Sequence, residues 1–165
     1  MFCALILAFN NFQISNFKMK IRPATAADLP SIVALESRAA TAAHWNSQAY
    51  EHLFSVDSPR LVLVADDAGV QGFVIARQIR PEWELENIAV AADAQRRGVA
   101  AALLEHLLDL VRQQGGEVIF LEVRESNAAA RSLYASCGFA ETGRRRLYYK
   151  DPNEDAVLYQ NIVRT

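Results

Sequence analysis

Gln95-Arg96-Arg97-Gly98-Val99-Ala100 joins a segment of strand pattern to one of helix pattern. A glycine flanked by arginines at a helix mouth is an anion site. The first N–H groups of a helix lack intrahelical partners, the helix dipole is positive at that end, and two guanidinium groups add charge. Gly98 also lets the main chain approach an anion closely. A plain tight turn with solvated arginines has the same appearance. The segment lacks the three closely spaced glycines of a dinucleotide fingerprint and the Gly-Lys-Ser/Thr of a P-loop. Further on, Glu122 interrupts an apolar run, where burial would raise its pKa towards that of a base useful near neutrality. Asn127 and Tyr134 lie two helical turns apart, share a face and can address one ligand. A tyrosine phenol titrates near ~10 and can serve as a proton donor. The structural alternatives are an ion pair for Glu122 at the strand end and a core position for Tyr134. Glu84 and Glu86, on one strand face by the period-two rule, are rival bases.

The elements that must hold these residues follow from periodicity. Lys20 to Pro23 is a short strand candidate. Thr25 to Asp28 supplies helix-start chemistry, Pro30 fits a first helical turn, and Leu29, Ile32, Val33 and Glu36 follow at helical spacing. Asn46 can cap a second helix, with Trp45 stapled against Tyr50. Arg60–Ala65, Gly72–Ile79 and Glu82–Val90 read as a meander of three strands. Gly98 to Gln114 is a strongly amphipathic helix closed by Gly115-Gly116. Glu117 to Val123 is so apolar that it predicts a strand buried on both faces. Ser126-Asn127 opens a short helix that runs through Cys137 and stops at Gly138-Phe139. Two last strands span about Ala140–Tyr149 and Ala156–Val163. The order β-α-α-β-β-β-α-β-α-β-β predicts an α/β (α+β) fold: a mixed sheet with an antiparallel start, one right-handed parallel crossover and flanking helices.

The 165 residues are 52% hydrophobic and 22% charged, with a formal net charge of −2. This is globular composition with no global signature of nucleic-acid binding. Strands outnumber helices and no basic recognition helix appears, which argues against a helix-turn-helix binder. Cys3 and Cys137 form neither a disulfide framework nor a metal-ligand spacing, and His44, His52 and His106 are scattered, so no metal is expected. A reducing cytoplasmic compartment is the expectation. Met1 to Phe9 is apolar but too short to span a bilayer and has no preceding Lys or Arg, so no membrane association is expected. Residues 1–18 are expected to be a poorly ordered extension or a start-site artefact, with one domain over 19–165.

The ordered set of motifs carries a resemblance. Gln95 to Ala100 resembles the Q/R-x-x-G-x-G/A acetyl-CoA loop of the GNAT superfamily of N-acetyltransferases. Asn87–Val90, Leu121–Arg124, Ser126–Ala130, Leu133-Tyr134 and Gly138-Phe139 resemble its RimI-type ribosomal-protein alanine N-acetyltransferases, with Arg145-Arg146 and Tyr148-Tyr149 extending the likeness. The resemblance covers about Met19 to the end. It implies that the main chain of Ile88, Ala89 and Val90 pairs with the pantetheine arm of acetyl-CoA. It implies that Gln95, Arg96, Arg97, Gly98, Val99, Ala100 and Ala101 form the pyrophosphate loop and that Asn127 contacts the cofactor. Glu122 is then the general base and Tyr134 the general acid. Ala100 replaces the more usual final glycine, and Ala101 stands where some relatives are basic. No nucleophile–histidine arrangement is visible, so direct transfer in a ternary complex is expected. The resemblance implies a peptide or protein N-terminus as acceptor, a ribosomal protein with N-terminal alanine above all. An α-amino group, pKa near ~8, also sheds its proton more readily than a lysine near ~10.4. A lysine or small-molecule amine, or a non-catalytic acyl-CoA-binding module, are the other readings of the same fold. The sequence leaves the oligomeric state open.

Overall fold

Runs with period two form strands and runs with period 3.6 form helices along the whole described chain. The protein is represented by a computed structural model, which describes residues 19–39, 45 and 47–163. The extension over residues 1–18 and the cap expected at Asn46 lie outside the described residues. In chain order the elements are strand β1 (Lys20–Pro23), helices α1 (Leu29–Arg38) and α2 (Ser47–Glu51), and strands β2 (Arg60–Asp66), β3 (Val70–Ile79) and β4 (Glu82–Val90). Helix α3 (Val99–Gln113), strand β5 (Val118–Arg124), helix α4 (Ala128–Ser136) and strands β6 (Ala140–Lys150) and β7 (Asn153–Ile162) follow. They build a seven-stranded sheet of order β1-β2-β3-β4-β5-β7-β6. Within it β4 and β5 are parallel and every other neighbouring pair is antiparallel. The parallel pair follows from α3, which returns the chain to the end of the sheet where β4 began.

Local chemistry fixes the helix ends. Asp28 accepts from the main-chain N–H of Thr25 at 2.8 Å and from both outer nitrogens of Arg22 at 2.8 Å each, just before Pro30 in the first turn of α1. Ile32 and Glu36 are the buried residues of α1, with Leu29 and Leu35 packed beside them; Val33, expected on that stripe, is 38% exposed. Gly98, with φ +82, precedes α3, and Gly115, with φ +74, follows it. These left-handed conformations suit glycine. The Asn127 side chain accepts from the Ala130 N–H at 3.1 Å and so caps α4. At the other end the Phe139 N–H reaches the Tyr134 carbonyl at 3.0 Å, and its ring packs 5.7 Å from that of Tyr134.

Two apolar layers lie on the two faces. Val99, Leu103, Leu104, Leu107, Leu108 and Val111 of α3 are buried and join Leu63, Val74, Leu85, Leu121 and Tyr134 in one cluster. Each fully buried leucine stabilises the fold by about 1.5–3 kcal/mol. On the other face, Ile32, Tyr50 and Leu53 pack on Val64, Phe73 and Ile75. This second layer covers the β2–β4 part of the sheet. The expectation that Glu117–Val123 is buried on both faces is therefore corrected. In β5 Ile119, Leu121 and Val123 are buried, whereas Val118, Phe120, Glu122 and Arg124 are half-buried, because α1 and α2 do not extend over them.

Candidate active site

The sheet opens into a fork. Parallel pairing between β4 and β5 is limited to Glu82↔Val118, Trp83↔Ile119 and Glu84↔Phe120. Past Glu84 and Phe120 the two strands part, although β4 runs on to Val90 and β5 to Arg124. The divergence leaves the β5-facing edge of Leu85 to Val90 without a strand partner, an edge able to pair with an extended ligand. A bulge helps to turn β4 there. Leu85 pairs with Ala76 and Asn87 with Ile75, so Glu86 is an extra residue. Leu85 faces the α3 layer, whereas Asn87 reaches the α1 layer and Ile88 returns to the α3 side.

A cavity of about 750 Å³ occupies the fork. Glu84, Leu85, Glu86, Asn87 and Ile88 line it from β4, so both rival carboxylates reach it; Glu122, Val123 and Arg124 line it from β5. Asn127 and Tyr134 of α4, and Tyr148 and Tyr149 of β6, complete the same cavity, with Trp45 and Arg60 at its α1–α2 side. Thus Ile88, Glu122, Asn127 and Tyr134 from the sequence-based set come together. Leu121 and Val123 share the apolar layer of Tyr134, so Glu122, between them in the strand, points to the opposite face. The carboxylate and the phenol reach the fork from opposite sides of the sheet.

Their surroundings differ. Tyr134 is 5% exposed, and burial pushes its phenol well above the usual range. Its hydroxyl meets no hydrogen-bond partner among the described residues. The Glu122 side chain is 20% exposed, with Arg145 Nη1 at 2.9 Å from Oε1. The ion pair that the sequence left open for Glu122 is present, because β6 delivers an arginine across β7. Of the two rivals, Glu86 is the more heavily engaged. Both oxygens of Glu86 accept from Arg60, at 2.6 and 3.0 Å, and Arg77 Nε stands 3.3 Å from Oε1. Glu84 accepts from Arg77 at 2.6 Å. Glu36, buried on the sheet side of α1, accepts from Asn87 at 2.7 Å and from the Trp45 N–H at 3.0 Å, so it ties the cavity wall to its rim. Burial pushes the thiol of half-buried Cys137 up, away from nucleophile chemistry.

The loop from Gln95 to Ala101 lies past the end of β4, outside the cavity lining. Gln95 Nε2 donates to the Val90 carbonyl at 3.3 Å, which ties the loop to the strand. Arg96 and Gly98 both have left-handed backbones, φ 59 and 82. Their main-chain N–H groups meet no carbonyl among the described residues. The buried side chain of Val99 belongs to the core and that of Ala89 to the α1 layer, so each offers a ligand its main chain alone. A Cβ on Gly72 of β3 would come within 3.2 Å of Val99 and Val90 side-chain carbons, so that glycine lets α3 begin close against the sheet. Sequence reasoning missed the cavity roles of Trp45, Arg60 and Glu36. A visible signal existed for Glu36, a charged residue on an apolar helical stripe.

The acetyltransferase (GNAT) family pattern matches residues 29–139; the chain belongs to this family and is an N-acetyltransferase. It is 41% identical over 133 residues, 79% of this chain and 88% of the relative, to the [ribosomal protein bS18]-alanine N-acetyltransferase of Salmonella typhimurium. The crystal structure of the Escherichia coli ribosomal-protein-S18-alanine N-acetyltransferase superposes with a TM-score of 0.77 at 34% identity, over 89% of this chain and 95% of that one. The fold is also that of Arabidopsis thaliana NAA60 in complex with acetyl-CoA, at TM-score 0.76 and 16% identity, over 87% of this chain and 98% of that one.

Proposed function

We propose that this enzyme transfers the acetyl group of acetyl-CoA to the α-amino group of a protein N-terminus, an N-terminal alanine like that of ribosomal protein bS18 above all. The observation that carries this reading is the arrival of Glu122 and Tyr134 at one cavity from opposite faces of the parted strands. Acetyl-CoA, when bound, supplies a thioester: an electrophilic acyl carbon with a thiolate leaving group. Several features fit it. The unpaired edge of Leu85 to Val90 suits the amide-bearing pantetheine arm. The N–H groups of Arg96 and Gly98 and the opening turn of α3, through Val99, Ala100 and Ala101, suit a diphosphate, with Arg96 and Arg97 supplying charge. Asn127, in the cavity lining, suits a contact with the arm. The names of the relatives support the protein acceptor.

Glu122 takes the proton that the amine must shed before its lone pair can form the C–N bond. Main-chain N–H groups of β4 orient the thioester carbonyl and stabilise negative charge on its oxygen. Tyr134 donates its proton to the departing sulfur. Its raised pKa keeps that proton in place throughout the pH range in which α-amines become neutral. Glu86, with both oxygens held by arginines, is less available than Glu122. Steady-state assays with an N-terminal alanyl peptide test the roles. Glu122→Gln and Tyr134→Phe should each lower kcat roughly a hundredfold, while calorimetry finds acetyl-CoA binding little changed. Unchanged turnover in either variant would remove that residue from the mechanism.

A further inference from the structure

In a regular strand, residues an odd number of positions apart face opposite sides. β6 breaks this rule at the cavity. Arg145 and Tyr148 are three apart and Tyr148 and Tyr149 are adjacent. Yet Arg145 binds the Glu122 carboxylate at 2.9 Å, and both tyrosines line the cavity that Glu122 lines. The cause is a wide bulge. Arg145 pairs with Ala156 and Tyr149 with Glu154, so Arg146, Leu147 and Tyr148 stand opposite Asp155 alone. Leu147, at its centre, has φ 49, a left-handed conformation that leucine rarely adopts. Its side chain is 58% exposed, so packing does not hold it there. Two hydrogen bonds hold it: Asp155 Oδ1 accepts the Leu147 N–H at 2.8 Å, and the exposed Lys150 ammonium donates to the Leu147 carbonyl at 3.0 Å.

We propose that Asp155 is a positioning residue for Glu122: it pins the β6 bulge, and the bulge brings Arg145 and Tyr148 onto the carboxylate from a single strand. The two arrive as a unit, with the Arg145 guanidinium 5.6 Å from the centre of the Tyr148 ring. The carboxylate in turn pushes the Tyr148 phenol up, the direction expected of a hydroxyl donating to it. Held by a cation and a hydroxyl, the Glu122 side chain has one orientation at the fork rather than several. The inference rests on Glu122 as the base.

The test compares substitutions that act on the bulge in opposite ways. Asp155→Ala removes the acceptor, whereas Asp155→Asn keeps one. Leu147→Val opposes positive φ, whereas Leu147→Gly accommodates it. Asp155→Ala and Leu147→Val should lower kcat roughly tenfold or more, with KM for acetyl-CoA and the melting temperature near those of the parent. Asp155→Asn and Leu147→Gly should restore most of the turnover. Parental kcat in Leu147→Val, or equal losses in both members of either pair, would overturn the proposal. If Asp155→Ala does not fold, the exposed Leu147 pair decides. Glu122→Gln, assayed alongside, separates the two levels. Its full activity would overturn the base assignment itself, whereas its inactivity beside unaffected bulge variants would overturn only the role of Asp155.

Discussion

The surroundings of Tyr134 favour its protonated form, and its proposed role depends on that. Tyr134 is nearly sealed from water, so its anion is costly and the hydroxyl stays protonated. Glu122 is half-buried, with the Arg145 guanidinium 2.9 Å from its carboxylate. A carboxylate and a phenol thus meet from the two sides of one cavity. The sign of the pH dependence follows. A group with a raised pKa stays protonated as pH rises, so Tyr134 remains competent until well above ~10. The reacting amine becomes nucleophilic only as pH climbs through ~8. The expected profile of kcat/KM for an alanyl peptide is a rise towards pH 8, then a plateau with no descending limb from Tyr134 below about pH 10. A fall centred between pH 8 and 9 in the wild type that vanishes in Tyr134→Phe would contradict the buried-acid reading.

Elements set where those side chains meet, and some depend on one residue. Gly116 begins the approach to β5, and a Cβ there would lie 2.5 Å from a Val111 methyl carbon and 2.8 Å from the Trp83 ring. Both neighbours are buried, so neither can swing away. Gly116→Ala should cost about 1–3 kcal/mol of stability in a denaturant titration, and acetyl transfer should fall with the folded fraction. An unchanged midpoint would show that α3 and β4 can part without loss. The elements themselves were legible in the sequence, because each rests on local signals: the apolar stripe of α3, Asn127 before α4, and the Gly138-Phe139 stop. The fork was not, because it depends on β4 and β5 ceasing to pair after Phe120, a long-range property that no local pattern records. The β6 bulge was equally hidden, since its left-handed residue is a leucine rather than glycine or asparagine. The Glu122–Arg145 pair appears only once β7 is known to lie between β5 and β6. Glu122 and Tyr134 were readable as a pair only through the family motifs, because spacing alone leaves Glu84 and Glu86 as equal candidates for the base.

At the scale of the whole molecule, the two faces of the sheet do different work. The α3–α4 layer covers one face over β2–β5 and β7 and carries both the helix mouth and Tyr134. The α1–α2 layer covers β2–β4 and stops short of β5, so the face bearing Glu122 is reachable from solvent beside the Trp45 rim. The asymmetry suits two substrates that enter from opposite sides and meet where β4 and β5 part. A structure of the enzyme crystallised with CoA and an N-terminal alanyl peptide tests this most directly. The account predicts the sulfur in the fork beside the Tyr134 hydroxyl, the diphosphate against the N–H groups from Arg96 to Ala100, and the peptide amine on the Glu122 side. Sulfur and amine on the same face of the sheet, or a diphosphate bound away from the opening of α3, would contradict it.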